Sequence, residues 1–132
     1  MKAISTKTTK GIRIGTRLKC IDNTGAKELE VISVRGFKGT RRRTPQAGIG
    51  QVVICAVKKG NQKIMHETVK AAIVRQKMPY RRPNGTHIKF NDNAAILLDD
   101  KLDPRGKDIK GVVAKEAVER FTTIGKISKI II

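Results

Sequence analysis

Residues 71–100 read AAIVRQKMPYRRPNGTHIKFNDNAAILLDD, a stretch that leaves one apolar run, turns once and enters another apolar run. The turn lies at Pro83-Asn84-Gly85. Proline has the φ needed at the first central position of a type I turn, asparagine tolerates the second, and glycine supplies the positive φ of a bulge residue. The stretch therefore predicts a protruding β-hairpin whose two ends lie in the body of the protein.

The predicted hairpin is strongly basic. Its register places Arg81 opposite His87 and Tyr80 opposite Ile88, so side-chain alternation brings Arg81, His87 and Lys89 to one cationic face. A solvated basic hairpin without a partner is the alternative interpretation for any single side chain of this kind. The cations of the whole stretch are Arg75, Lys77, Arg81, Arg82 and Lys89.

The charge of the chain favours a polyanionic partner. There are 29 lysines and arginines against 11 aspartates and glutamates, which gives a formal net charge of +18. A surface with this excess of one sign repels itself, and nucleic acid is the partner that neutralises it. At 132 residues the chain is predicted to form a single domain, residues 1–132.

β-Branched residues predict a mainly β fold, because valine and isoleucine number 27 against 5 leucines. The inward phase slips by one residue after Val31, so that Ile32 and Val34 are expected to face inward; such a slip indicates a bulge and favours a barrel over a flat sheet. The apolar run 52–57 predicts a central strand buried on both sides, ended by a turn at 58–61. Five core strands are expected, at 17–21, 26–34, 52–57, 69–74 and 94–98.

The setting of the two cysteines and the lack of a recognisable leader suggest an intracellular protein. Cys20 and Cys55 lie in apolar runs, where buried free thiols are expected rather than a disulfide. The sequence contains no apolar run that could cross a bilayer and no recognisable leader, so we expect a soluble protein without a membrane partner.

Two further segments carry isolated basic clusters. The loop at 36–50, GFKGTRRRTPQAGIG, holds Lys38, Arg41, Arg42 and Arg43 between glycines, and is interpreted as an arm that follows phosphates; a solvated linker is the alternative. Residues 1–13, which end at Arg13, contain too little apolar surface to pack independently and are predicted to be a flexible or partner-ordered basic arm.

Residues 101–132 are predicted to differ from the strand-rich part of the chain. A connection at 101–111, which contains Arg105 and Lys107, precedes a segment at 112–132 that is predicted to be helical. Ala114, Ala117, Val118 and Phe121 mark its inward face, and the pairs Lys115 with Glu119 and Glu116 with Arg120 are expected on its outer face. The last six residues fit either a short strand or a helical turn.

The sequence gives no support to catalysis. His66 and His87 are isolated, and neither they nor the cysteines show metal-ligand spacing. There is no phosphate-binding glycine loop and no nucleophile elbow. Asp99, Asp100 and Asp103 are interpreted as members of local ion pairs. We therefore expect neither an enzyme nor a bound metal or cofactor.

Several ordered segments resemble one ribosomal protein family. AAIVR, RRPNGT and IKFNDNAAIL, within residues 71–98, resemble the signature of protein fourteen of the large ribosomal subunit. CIDNTGAKELEVISV and GFKGTRRRTPQAGIG resemble the longer form of that family, found in archaea and eukaryotes. Together these segments cover nearly the whole chain.

The resemblance implies a closed five-stranded β-barrel with a protruding basic β-hairpin and a short C-terminal helical segment. It also implies a structural role in the cytoplasmic ribosome, at the subunit interface. The implied partners are large-subunit rRNA, the neighbouring large-subunit proteins three and twenty-four (archaeal and eukaryotic type), small-subunit rRNA at an intersubunit bridge, and the ribosome anti-association factor. Predicted rRNA-binding residues are Arg13, Lys38, Arg41, Arg42, Arg43, Arg75, Lys77, Arg81, Arg82, His87, Lys89, Arg105 and Lys107.

A free nucleic-acid chaperone or regulator is the alternative function. Small barrels of that class bind single strands on stacked aromatic side chains. This chain has one tyrosine, three phenylalanines and no tryptophan, which is too few for an extended stacking surface. Folded RNA held through its phosphates fits the composition better.

Overall fold

Strands dominate the computed structural model, which describes residues 1–132. The mainly β prediction is confirmed. The elements, in chain order, are β1 (Ile12–Arg13), β2 (Arg17–Cys20), β3 (Ala26–Val34), β4 (Gln46–Ala47), β5 (Val52–Gly60), β6 (Thr68–Arg75), β7 (Tyr80–Arg81), β8 (His87–Ile88), β9 (Ala94–Leu98), β10 (Ile109–Val113), α1 (Lys115–Arg120), α2 (Thr122–Ile127) and β11 (Ser128–Ile131).

The core is a closed barrel of five strands in the order β2-β3-β5-β6-β9, which confirms the predicted barrel. Neighbouring strands are antiparallel except where β2 meets β9 in parallel, with Lys19 opposite Ala94, and this pairing closes the barrel. Closure removes both sheet edges. Leu18, Leu29 and Ile96 are among the fully buried side chains that fill the interior.

The bulge predicted in β3 exists, but the predicted inward side chain is wrong. The pairing of β3 with β5 shifts between Val31 and Ser33, so Ile32 is the extra residue of a bulge. Its side chain is 46% exposed, because the extra residue turns away from the barrel instead of restoring the inward phase. Val34 is half-buried and packs against the core.

The prediction that β5 is buried on both sides is also wrong. Val53, Cys55 and Val57 are fully buried, whereas the alternate residues Ile54 and Ala56 are only half-buried. A barrel has one packed interior, and strand alternation directs every second side chain outward. The strand continues through the predicted turn to Gly60, which pairs with Ala26.

Both cysteines are free, as predicted. Cys55 is fully buried, whereas Cys20 is half-buried with its thiol 3.2 Å from the Asp22 carboxylate. Burial raises the pKa of each thiol to about 12, and Asp22 adds to the effect at Cys20. Both therefore remain protonated at neutral pH.

The C-terminal segment is only partly helical. α1 buries Ala117 against the core as predicted, and α2 follows after Phe121. Both ends of the segment are strands, because β11 pairs in parallel with β10. The isoleucine-rich end thus forms a strand rather than a helical turn. Each helix has six residues, too few for either to span a membrane.

The protruding hairpin forms with the predicted register, Tyr80 opposite Ile88 and Arg81 opposite His87. Gly85 has a φ of 87°, as its bulge position requires. The Arg82 N–H donates to the Thr86 carbonyl at 2.8 Å and closes the turn.

Candidate nucleic-acid interface

Carboxylates and cations are unevenly distributed along the chain. Residues 1–21, 31–66 and 68–91 contain no aspartate or glutamate. We define three basic segments: the arm (residues 1–13), the loop (36–50) and the hairpin (77–89). Among all their lysines and arginines, only Arg82 has a carboxylate within 4.0 Å. The other ion pairs lie mostly on the barrel, where they involve Glu28, Glu30, Glu67, Asp92, Asp99 and Asp100.

The arm packs against the loop. β1 pairs with β4, so that Ile12 lies opposite Ala47, and both side chains are fully buried. Four residues before Ile12, the Thr8 hydroxyl donates to the Ile49 carbonyl at 3.3 Å. A side chain at Gly48 would place its Cβ 2.9 Å from the Thr9 carbonyl oxygen, so the two segments are in close contact.

The arm also packs against the hairpin. Gln76 is fully buried, and its side-chain amide donates to the Thr9 carbonyl at 2.9 Å and to the Met78 carbonyl at 3.0 Å. A Cβ at Gly11 would lie 2.6 Å from the Cβ of Met78. The segment predicted to be a flexible or partner-ordered arm therefore lies along the body, between the loop and the hairpin.

Two concavities form where the arm meets its neighbours. One, of about 360 Å³, brings Lys7 of the arm beside Arg81 of the hairpin. Another, of about 390 Å³, brings Lys10 of the arm beside Arg42 and Arg43 of the loop. Polyanions bind where several unpaired cations raise the local potential together.

The two arginines next to the hairpin turn have different environments. Arg81 is exposed and has no carboxylate partner. Arg82 donates through Nε to Glu116 Oε1 at 2.8 Å and through Nη2 to the Ile132 carbonyl at 2.8 Å. Tyr80, which is 1% exposed, donates its hydroxyl to Glu116 Oε2 at 2.6 Å.

Glu116 is the anchor of this group. It was predicted on the outer face of the helix, but it is 2% exposed because Tyr80 and Arg82 cover that face. Burial alone would raise the pKa of Glu116, but the hydrogen bonds from Arg82 and Tyr80 outweigh it and hold this pKa below its ordinary value. The hydrogen bond that Arg82 donates to Glu116 raises the pKa of Arg82. Burial, together with the carboxylate of Glu116, raises the pKa of Tyr80. The hairpin is thereby fixed to α1.

Arg75, at the base of the hairpin, is also engaged internally. Its Nη2 donates to Asp92 Oδ2 at 3.1 Å, and its Nε lies 2.9 Å from Oδ1, off the axis of a hydrogen bond. Nη1 donates to the Val112 carbonyl at 3.3 Å. The guanidinium passes so close to Gly111, which has a φ of 87°, that a Cβ there would lie 2.8 Å from Nη1. Arg75 therefore joins β6 to β10.

The remaining predicted contacts fall into two places. Arg13, Lys38, Arg41, Lys77, His87 and Lys89 are exposed on the three basic segments. Arg105 and Lys107 lie elsewhere: Arg105 pairs with Glu67 at 3.2 Å, and the Lys107 N–H donates to Asn23 at 2.9 Å. Glu67 precedes β6, whereas the hairpin leaves from the far end of that strand. The structure thus places these two residues at the opposite end of the barrel.

Comparison with known proteins identifies the family of the chain. Residues 11–132 match the family described as Ribosomal protein L14p/L23e. The chain belongs to this family. It is 48% identical over 132 residues to the large ribosomal subunit protein uL14 of Halorubrum lacusprofundi, with 100% of both chains covered. Identity is 47% over 131 residues to the uL14 of Methanococcus vannielii (99% of both chains) and 42% over 132 residues to that of Haloarcula marismortui (100% of both).

The predicted family resemblance is confirmed, and the relatives named above are archaeal, as the longer form of the family suggested. Members of this ribosomal protein family have a structural rather than a catalytic role. The structure contains no group of three or more histidine, cysteine, aspartate or glutamate side chains that could hold a metal ion.

Sequence reasoning missed three residues that position the basic segments: Gln76, Tyr80 and Glu116. A signal was available for one of them, Tyr80. Tyr80 and Arg82 are two residues apart in the predicted hairpin, so alternation puts both on the face opposite Arg81, the face that meets the body. No sequence pattern indicated that Gln76 would bind the arm.

Proposed function

We propose that the chain is a structural constituent of the large ribosomal subunit in the cytoplasm and that the arm, the loop and the hairpin hold it on large-subunit rRNA. One observation carries this proposal: the three segments together hold twelve lysines and arginines, of which only Arg82 has a carboxylate within 4.0 Å, and the segments adjoin through the arm. The names of the relatives, large ribosomal subunit protein uL14, support the same subunit.

The contacts are mainly to phosphates. Exposed lysines and arginines on loops and turns neutralise phosphate charge, and such contacts fix position without reading sequence. The proposed contacts on the three segments are Arg13, Lys38, Arg41, Arg42, Arg43, Lys77, Arg81, His87 and Lys89. Arg75 and Arg82 contribute mainly by holding the hairpin in place, because their guanidinium groups already bind Asp92 and Glu116. Arg105 and Lys107 would touch rRNA only at the other end of the barrel.

The protein partners implied by the family resemblance have a suitable surface. Ile130, Ile131 and Ile132 are 52%, 45% and 50% exposed, at the end of the two-stranded sheet formed by β10 and β11. Adjacent exposed apolar side chains on an unpaired strand edge are typical of protein contacts. We assign this edge to the protein-facing role, toward large-subunit proteins three and twenty-four or the anti-association factor. A bridge to small-subunit rRNA belongs to the same proposal.

Sedimentation tests the function. The tagged full chain is expressed in an archaeal host beside the native protein, and the lysate is fractionated on a sucrose gradient at low magnesium, which separates the subunits. We expect the chain almost wholly in the large-subunit fraction. A free nucleic-acid chaperone would stay near the top of the gradient, and that result would refute the proposal.

A further inference from the structure

Phe37 is the aromatic side chain that the core does not use. Tyr80 and Phe121 belong to the buried core, and Phe90 packs against it, whereas Phe37 does neither. It is half-buried and lies in the loop after Gly36, which has a φ of 76°. A large apolar ring held among arginines, away from the core, is not explained by folding.

Phe37 lines two neighbouring concavities, of about 390 and 240 Å³. Both are also lined by Lys10, Arg43 and Gln46. The larger one has a volume within the range of roughly 300–1,000 Å³ that is usual for small-ligand sites. Phe37 is therefore accessible from a space that cations and one amide surround.

The backbone of the loop directs charge toward this space. Arg42 has a φ of 63°, which is uncommon for a residue other than glycine. With this turn, Arg42 and Arg43 both line the larger concavity, whereas Arg41 does not. Neither arginine has a carboxylate within 4.0 Å, and the same is true of Lys10. These three positive charges are therefore free to bind an external anion.

We propose that this site takes one unpaired nucleotide of rRNA, with its base stacked on Phe37 and its flanking phosphates bound by Lys10, Arg42 and Arg43. The inference rests on the proposed rRNA-binding function and adds a specific contact to it. An aromatic ring beside cations suits a nucleotide because a base stacks on the ring while phosphates bind the charges. The Gln46 amide can both donate to and accept from a base edge.

A single ring limits the ligand to one base. A duplex has no exposed base face for Phe37 to stack on, and an extended single strand would require several such rings. A bulged or flipped-out nucleotide in otherwise folded rRNA meets both conditions. The inference therefore predicts one base whose exposure depends on Phe37.

Chemical probing of rRNA bases in purified large subunits tests this. Subunits carrying Phe37→Leu, which keeps an apolar side chain without a π face, are compared with wild-type and Phe37→Tyr subunits. We expect one unpaired base to gain reactivity in Phe37→Leu alone. Loss of a stacked base weakens binding roughly 5- to 150-fold, so Phe37→Leu should also lose an incorporation competition on the order of tenfold. Ile32→Ala, at an exposed apolar residue outside the site, is the matched control.

Each outcome has a distinct meaning. If no base changes reactivity in Phe37→Leu subunits while wild-type protein sediments with the large subunit, the nucleotide site is refuted and the rRNA-binding function stands. If wild-type protein does not sediment there, the proposed function itself fails. Should Phe37→Leu enter too few subunits to be probed, the same base reactivities are read on large-subunit rRNA mixed with excess full-length protein, where an unchanged pattern again refutes the site.

Discussion

Replacing Glu116 with glutamine should destabilise the fold far more than its place on a six-residue surface helix suggests. The carboxylate accepts hydrogen bonds from Tyr80 at 2.6 Å and from Arg82 at 2.8 and 3.3 Å. Glutamine keeps one acceptor oxygen and turns the other into a donor that faces other donors. It also leaves Arg82, whose side chain is only 17% exposed, without its counter-charge.

The magnitude follows from these losses. Removing one partner of a buried ion pair costs about 3–5 kcal/mol of the free energy of unfolding. Arg82 retains its bond to the Ile132 carbonyl and some contact with water, so we expect about 2–4 kcal/mol for Glu116→Gln. In a chain of this length that corresponds to a fall in melting temperature of roughly 6–12 °C.

Glu119→Gln is the matched control, on the same short helix. Glu119 is 27% exposed and meets Lys115 at 3.8 Å, a surface pair worth about 0–1 kcal/mol. It also accepts exposed hydrogen bonds from the Ser5 hydroxyl at 3.1 Å and the Ser5 N–H at 3.4 Å, which the side-chain oxygen of glutamine can still accept. Both variants are unfolded by heat and by urea and followed by circular dichroism. Equal, small losses for the two variants would show that the buried cluster does not hold the hairpin to α1, and would refute the reasoning.

The same comparison has a pH dependence of known sign. The pKa of Glu116 is lower in the folded protein than its ordinary value of 4.5, so its contribution to stability is fully present above about pH 4.5 and is lost as pH falls through the folded pKa. The stability difference between wild type and Glu116→Gln should therefore be constant near neutral pH and shrink in acid. A difference that grows in acid would contradict the assignment of the shift to Arg82 and Tyr80.

Three other predictions concern the basic segments and the turn. Changing all arginines at 41–43 to alanine should lower the slope of the logarithm of the rRNA-binding constant against log salt by about 0.7–0.9 per lost phosphate contact, with stability unchanged. The control variant removes three cations outside the segments, Lys63, Lys101 and Lys126. Gly85→Val should cost about 1–3 kcal/mol through backbone strain alone, because no atom lies within 4 Å of a Cβ at that position; an unchanged melting temperature would contradict the role of its positive φ. Arg81→Ala should weaken rRNA binding but leave the melting temperature unchanged, whereas Arg82→Ala should lower the melting temperature; the reverse pattern would contradict the structure.

The fold could largely be predicted because its signals are local. Apolar runs and apolar–polar alternation marked all five barrel strands, and Pro83-Asn84-Gly85 indicated both the place and the register of the hairpin. Ile32 was mispredicted because a bulge can turn its extra residue either way, and only the partner strand decides. Periodicity gives the phase of a strand, but not where neighbouring strands allow that phase to change.

The burial of Glu116 and the packing of the arm could not be predicted, for a different reason. A helical pattern assumes that the polar face meets water, and Glu116 is buried because a distant hairpin covers that face. The arm contributes a single fully buried side chain, Ile12, and is otherwise held through polar contacts such as the bond from Gln76 to Thr9. Contacts of this kind leave no apolar period in the sequence. Composition therefore predicts a polyanionic partner, but it does not predict which arginines are free to bind one.

That distinction gives the Glu116 variant a second readout, on function. Arg82 and Arg81 are adjacent and equally charged, yet the structure uses Arg82 to fix the hairpin and leaves Arg81 exposed. If the hairpin binds rRNA as a rigid element, Glu116→Gln should reduce incorporation into large subunits although Glu116 itself is buried beneath it, because ordering a loosened hairpin costs conformational entropy at assembly. Competition with wild-type protein, beside the Glu119→Gln control, measures this. A Glu116→Gln chain that unfolds at lower temperature but competes equally would show that rRNA binding does not depend on this anchor, and that the loop and the arm carry the attachment.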